Sequence, residues 1–145
     1  YSGVGTIALY LARHAKKVCG LEVDAQAVAD ARLNAALNQI GNVDFLAGEA
    51  EKSLPGLAAQ GLRPEVIVLD PPRAGCNQAV LEAVAAMSPP RVIYVSCDPG
   101  TLARDLRFLT SRGCRVQEVQ PVDMFPWTSS IETVVLMSGV EKQDN

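Results

Sequence analysis

Apolar and polar positions follow two alternating rhythms along most of the chain. Lys17 to Leu21, Val43 to Leu46, Val66 to Leu69 and Arg91 to Ser96 are short apolar runs that predict strands. Val66-Ile67-Val68-Leu69 has no polar alternation and reads as the clearest buried strand. Between these runs the spacing becomes helical. Ile7 to His14 predicts a helix, and Asp24 caps a second that reaches about Asn38. Ala27, Val28, Ala31 and Ala35 share one face of that helix, and Gly41-Asn42 breaks it. A short helix is expected from about Ala50, limited by Pro55-Gly56. Two more are expected at about Gln78 to Met87 and at Pro99 to Arg112. The end changes character: Arg115 to Val122 and Thr133 to Met137 predict two strands with no helix between them, suited to an antiparallel pair at a sheet edge. Only Glu141 to Asn145 reads as a frayed tail.

Alternating strands and helices imply an α/β fold with a doubly wound, mostly parallel sheet, which binds ligands outside the carboxyl ends of its strands. Every candidate residue below except Glu132 follows a strand end or glycine turn of that kind. Tyr1-Ser2-Gly3-Val4-Gly5-Thr6 is a strand-to-helix turn with no strand before it, so the chain reads as a fragment starting just after its first strand. With 145 residues it is expected to be one domain.

Composition narrows the function classes. A hydrophobic content of 48% and a charged content of 20% suit a globular protein, and no apolar run approaches the roughly 20 residues that span a bilayer. Cys19, Cys76, Cys97 and Cys114 are widely spaced, and His14 is the one histidine, so a zinc site is not expected and a reduced cytoplasmic setting fits. The net charge of −3 argues against a free-standing nucleic-acid-binding module. Arg104, Arg107, Arg112 and Arg115 form either a solvated face or a phosphate-facing strip.

The chemistry concentrates in four places. Val95-Ser96-Cys97-Asp98-Pro99-Gly100-Thr101 puts a thiol between a strand and a helix, with Asp98 suited to the N-cap and Pro99 to the first helical position. A helix N-terminus favours the thiolate, while Asp98 works against it. Gly3 and Gly5 allow a ligand to approach backbone, and Glu22, 16 residues past Thr6, is placed to accept ribose hydroxyls. Glu49 is either an acceptor for an adenine amino group or a helix-start carboxylate. Asp70-Pro71-Pro72-Arg73 is a stiffened loop that fixes an acid and an arginine after a strand. Glu132 enters an apolar strand, where a carboxylate is either paired or used as a general base.

These residues resemble the S-adenosylmethionine-dependent RNA uracil-5-methyltransferases that act on ribosomal and transfer RNA, over essentially the whole chain. The turn at Tyr1 to Thr6 is similar to that family's cofactor turn, and Gly20-Leu21-Glu22 to its ribose-binding strand end. Asp70-Pro71-Pro72-Arg73-Ala74-Gly75 is similar to a family hallmark, and Ser96-Cys97-Asp98-Pro99 to the nucleophile motif, where Asn is commoner than Asp98. Asp123-Met124-Phe125-Pro126 with Ile131-Glu132 is similar to the segment carrying the base, 35 residues beyond Cys97. The resemblance implies a Rossmann-like class I methyltransferase domain, lacking its first strand and the family's N-terminal RNA-binding portion and weak or inactive in isolation. It implies Cys97 as nucleophile and Glu132 as proton acceptor. It further implies Tyr1, Gly3, Gly5, Thr6, Glu22, Glu49 and Asp70 around S-adenosyl-L-methionine, and Asp70 or Arg73 against the RNA. Trp127 and Ser130 stand where the family often has histidines, which bears on target choice and on tuning of the base. The rival is a methyltransferase of another target class in which Cys97 is structural.

Overall fold

The computed structural model describes residues 1–139; the expected tail at Glu141 to Asn145 lies outside them. Two compact units succeed one another, Tyr1–Ser53 and the segment from Leu54 onward.

The first unit contains α1 (Thr6–Ala12), β1 (Val18–Glu22), α2 (Ala25–Leu37) and β2 (Val43–Ala47), with β1 and β2 paired in parallel. Asp24 caps α2 as its sequence predicts, accepting from the backbone N–H groups of Gln26 and Ala27. The helix stops slightly before the expected break, because Gln39 turns left-handed at φ 57°. Asn42 then donates its amide to the carbonyls of Ala12 and Ala15, satisfying backbone groups just beyond α1 while leading into β2. The core is Ala8, Leu9, Val28, Ala31, Ala35 and Phe45.

Phe45 explains two glycines. It lies opposite Gly20 in the β1–β2 register. A Cβ on Gly20 would come within 2.6 Å of its ring, and one on Gly5 within 2.8 Å. Gly5 also holds φ 90°, a conformation other residues adopt only at a cost. The ring thus fills the space left by two missing side chains and presses the glycine turn onto β1.

Helix α3 (Ala50–Ala59) spans the division between the units. Contrary to the expected limit, it runs through Pro55. Proline's φ is already helical; what is lost is one N–H, and on an exposed side the unpaired carbonyl is left to water. The stop comes at Gly61, left-handed at φ 86°, where the N–H groups of Gly61 and Leu62 close back on Ala58 and Leu57.

The second unit is a four-stranded sheet ordered β3-β4-β6-β5, formed by β3 (Val66–Leu69), β4 (Arg91–Ser96), β5 (Arg115–Val122) and β6 (Glu132–Ser138). β3 and β4 are parallel, while β6 runs antiparallel between β4 and β5. The expected antiparallel pair therefore exists, with β5 as the sheet edge. One face is built by directly opposed buried pairs, Val92 with Met137, Tyr94 with Val135 and Ser96 with Thr133. Helix α4 (Gln78–Met87) buries Val80, Leu81, Val84 and Met87 at helical spacing, and α5 (Pro99–Ser111) buries Leu102, Asp105 and Leu109. β3 is less covered than its apolar run implies: Val66 is exposed and only Leu69 is fully buried, because β3 has a sheet neighbour on one side alone.

Gly20→Ala is expected to destabilise the fold by about 1–3 kcal/mol through overpacking against Phe45. Trimming the ring in Gly20→Ala/Phe45→Leu should recover part of that loss. Denaturant unfolding of the four members of the cycle measures the coupling, and strict additivity would show that the ring does not occupy the glycine's space.

Candidate active site

In the first unit, Glu22 organises the end of β1. Its Oε2 accepts from the Gly3 N–H at 2.8 Å, and its Oε1 from the N–H groups of Val23 at 2.8 Å and Asp24 at 3.1 Å. Burial pushes the carboxyl up, but these N–H groups outweigh it and hold Glu22 below the usual glutamate range. A carboxylate offers about four lone-pair directions, so Oε2 keeps one for a hydroxyl of a bound nucleoside. The space on the Cβ side of Gly3 is open, with no atom within 4 Å. This donor set fits a ribose-bearing cofactor. Ser2 donates to the Leu21 carbonyl, and Thr6 opens α1 behind Gly5, so Tyr1, Gly3, Gly5, Thr6 and Glu22 gather around one strand end. Glu49 immediately precedes α3 and forms an exposed ion pair with Lys52 at 2.7 Å. Of its two expected roles, helix-start carboxylate describes its present contacts.

In the second unit, three strand ends meet at one sheet edge. Ser96 pairs with Thr133, so Cys97 and Glu132 are the next residues along adjacent antiparallel strands. Glu132 begins its strand, yet β6 runs backwards, and its start lies at the carboxyl edge of β4. Leu69 pairs with Tyr94, and Asp70 leaves β3 at the same edge. The structure thus brings Asp70, Arg73, Cys97 and Glu132 to one end of the sheet.

Cys97 is half-buried in the turn between β4 and α5. Asp98 caps α5 by accepting from the Thr101 N–H at 2.9 Å, which holds its carboxyl below the usual aspartate range. The Ser96 hydroxyl donates to the Asp98 carbonyl at 3.0 Å and closes the turn. Burial above all pushes the Cys76 thiol up to about 11, which keeps it protonated and unreactive. Burial raises Cys114 as well. Among the described residues, no hydrogen bond or ion pair engages the Glu132 side chain. Removal from water raises its pKa, and the charge of Asp70 raises it further. Burial raises Asp70 too.

Sequence reasoning missed the residues that hold the Asp70 loop. Thr101 Oγ1 donates to the Arg73 carbonyl at 3.0 Å, Arg104 Nη2 to the Ala74 carbonyl at 2.9 Å, and the Cys76 N–H to Asp105 Oδ2 at 2.7 Å. Arg104, expected on a solvated or phosphate-facing strip, is exposed and also pairs with Asp105 at 2.8 Å. The available signal was a carboxylate inside the Leu102–Leu109 apolar stripe of α5.

Residues 1–140 match the family model described as tRNA (Uracil-5-)-methyltransferase. The chain belongs to that family. Among members with curated names, an uncharacterized RNA methyltransferase of Halalkalibacterium halodurans is 54% identical over 94% of this chain and 30% of its own length. Another, of Bacillus cereus, is 53% identical over 98% of this chain and 31% of its own length. The chain therefore spans about a third of the length of these relatives. The crystal structure of Pyrococcus abyssi tRNA (uracil-54, C5)-methyltransferase, in complex with S-adenosyl-L-homocysteine, has a TM-score of 0.80 and 30% identity. That match covers 94% of this chain and 32% of that one. An rRNA methylase from Streptococcus thermophilus, at 16% identity and a TM-score of 0.72 over 97% of this chain and 84% of that one, shares the fold. The fold is that of the class I S-adenosylmethionine-dependent methyltransferases. No helix among the described residues is long and apolar enough to cross a membrane, and none of their His, Cys, Asp and Glu side chains form a metal-binding group.

Glu22→Gln is expected to cost about 1 kcal/mol after allowance for solvent screening, because an amide cannot accept at both ends from these three N–H groups. Glu22 has its pKa lowered by folding, so its stabilisation is present above the ordinary glutamate range and is lost as pH falls through the lowered value. Acid unfolding of wild type and variant should therefore converge at low pH; a constant gap would assign the effect to packing.

Proposed function

We propose that this chain is the catalytic part of an S-adenosylmethionine-dependent enzyme that methylates C5 of a uridine in structured RNA, ribosomal RNA first and transfer RNA as the alternative. The observation that carries it is the Ser96–Thr133 pairing, which sets a thiol and a carboxylate of raised pKa at adjacent strand ends.

S-adenosylmethionine supplies an electrophilic methyl group, with Glu22 and the Gly3–Gly5 turn holding its nucleoside portion. Uracil C5 is too weak a nucleophile to take that methyl unaided. Attack of the Cys97 thiolate on C6 forms a C6–S bond and pushes electron density through the ring to C5, which becomes enolate-like and could take the sulfonium's methyl group as the methyl–sulfur bond breaks and leaves the cofactor as a neutral thioether. Glu132 accepts the proton from C5, and its electron pair rebuilds the C5–C6 double bond as the C6–S bond breaks and returns the thiolate. A base inside a helix cannot present C6 to a thiol, so the substrate is an unstacked or flipped uridine. Asp70 and Arg73, held on the stiff loop, are the groups placed to contact the base or its phosphate.

The decisive experiment incubates the complete protein with cofactor and a 5-fluorouridine-substituted RNA and weighs the intact protein. Fluorine cannot leave C5 as a proton does, so the expected outcome is a covalent RNA adduct mapping to Cys97 and absent in Cys97→Ala. Cofactor and RNA binding without any adduct would transfer support to a methyltransferase of another target class.

The pH dependence has a definite sign. Glu132 must be ionised to accept a proton, so single-turnover methylation should rise with pH on a limb above the ordinary carboxylate range. Asp70→Asn removes the neighbouring negative charge and should move that limb to lower pH while slowing the plateau. A limb that stays in place would remove Glu132 from the titrating role.

A further inference from the structure

Asp105 is wholly buried on α5, two turns beyond Cys97. Three groups from different parts of the unit converge on it: the Tyr94 hydroxyl from β4 at 2.5 Å, the Cys76 N–H at 2.7 Å and Arg104 Nε at 2.8 Å. Thr101 and Arg104 stand on the same helical face and grip the carbonyls of Arg73 and Ala74. Three successive points of the loop after Asp70 are thus fastened to the helix that follows the nucleophile. Gly75 completes the fit. It holds φ 76°, and a Cβ there would lie 2.5 Å from Arg104 Nη2 and 2.7 Å from Asp105 Oδ2.

We infer that Asp105 is a positioning residue for the uridine chemistry, locking the Asp70–Arg73 loop to the turn that carries Cys97. This rests on the proposed function for its consequence, though the lock itself is a property of the fold. A loop with two prolines is stiff internally, but stiffness does not fix its position relative to the thiol; the contacts to α5 do. Freed from them, Asp70 and Arg73 would still be present, at the wrong distance from a base attacked by Cys97.

The test compares the complete wild-type protein with Asp105→Asn, which keeps volume but loses the charge that pairs Arg104, and Tyr94→Phe, which removes one donor alone. At saturating RNA, covalent capture of 5-fluorouridine RNA by Asp105→Asn should slow by about tenfold or more, since small misplacements at a reacting centre have effects of that size. Affinity for S-adenosylhomocysteine should change less than capture does, because of the groups proposed to hold the cofactor only Asp70 lies on the loop that Asp105 fastens, while Glu22 and the Gly3–Gly5 turn do not. Hydrogen exchange should accelerate in the peptide covering residues 70–76. Tyr94→Phe should show the same pattern more weakly. A purely structural role would lower the folded fraction and cofactor binding together, with unchanged capture per cofactor-binding molecule; that result overturns the inference. If Asp105→Asn does not fold, Tyr94→Phe decides by the same readouts. If the wild type captures no RNA, the functional reading fails by itself, and exchange at residues 70–76 decides the lock: unchanged exchange overturns it.

Discussion

The site depends on one register. β6 lies antiparallel between β4 and β5, and a slip of a single residue would turn Thr133, Val135 and Met137 away from the buried face they share with Ser96, Tyr94 and Val92. Burial of those six side chains therefore specifies which residue of β6 ends beside Cys97. The same packing that stabilises the sheet selects Glu132 as the neighbour of Cys97, so the proposed catalytic geometry comes as a consequence of core alternation rather than as a separate constraint.

The two units secure their strand ends by different means. In the first, a carboxylate gathers backbone N–H groups on an accessible edge, where it remains available to a ligand. In the second, the carboxylate of Asp105 is buried and its partners surround it. Leaving a buried carboxylate short of a donor is costly, whereas exposed pairs such as Glu49–Lys52 are screened by water and contribute little. Stabilisation by Asp105 and precision at the Asp70 loop are thus two effects of the same contacts. A substitution there moves both, which is why activity alone cannot assign its role.

Element order was legible in the sequence because apolar period and caps agree at most positions. Asp24, Asp98 and Pro99 stand where helices begin, and β4 and α4 have the boundaries their patterns imply. Pro55 misled because its missing N–H was weighed as a stop, although the helix needed only an outlet for one carbonyl. The apolar run of β3 likewise overstated its burial, since composition does not say how many sheet neighbours a strand has. Cys97, Asp70 and Glu132 were legible as candidates because each is a chemically costly residue at the end of an apolar strand. The Asp105 cluster was not, because Cys76 and Tyr94 are distant in the chain and only the fold brings them to it.

In the role proposed for it, Glu132 at the first residue of an apolar strand resolves a conflict between basicity and availability. In full contact with water, a carboxylate is a weak base for a carbon-bound proton. Deep in the core, it would remain protonated or require a cation that blocks it. Glu132 is half-buried, faces the charge of Asp70, and is not engaged by any hydrogen bond or ion pair among the described residues, so its affinity for a proton rises while its oxygens stay free. The cost of that arrangement is local destabilisation of the ionised form, which the apolar pairs further along β6 can offset. A strand end meets both demands, since its first residue is held in register by the core without being enclosed by it.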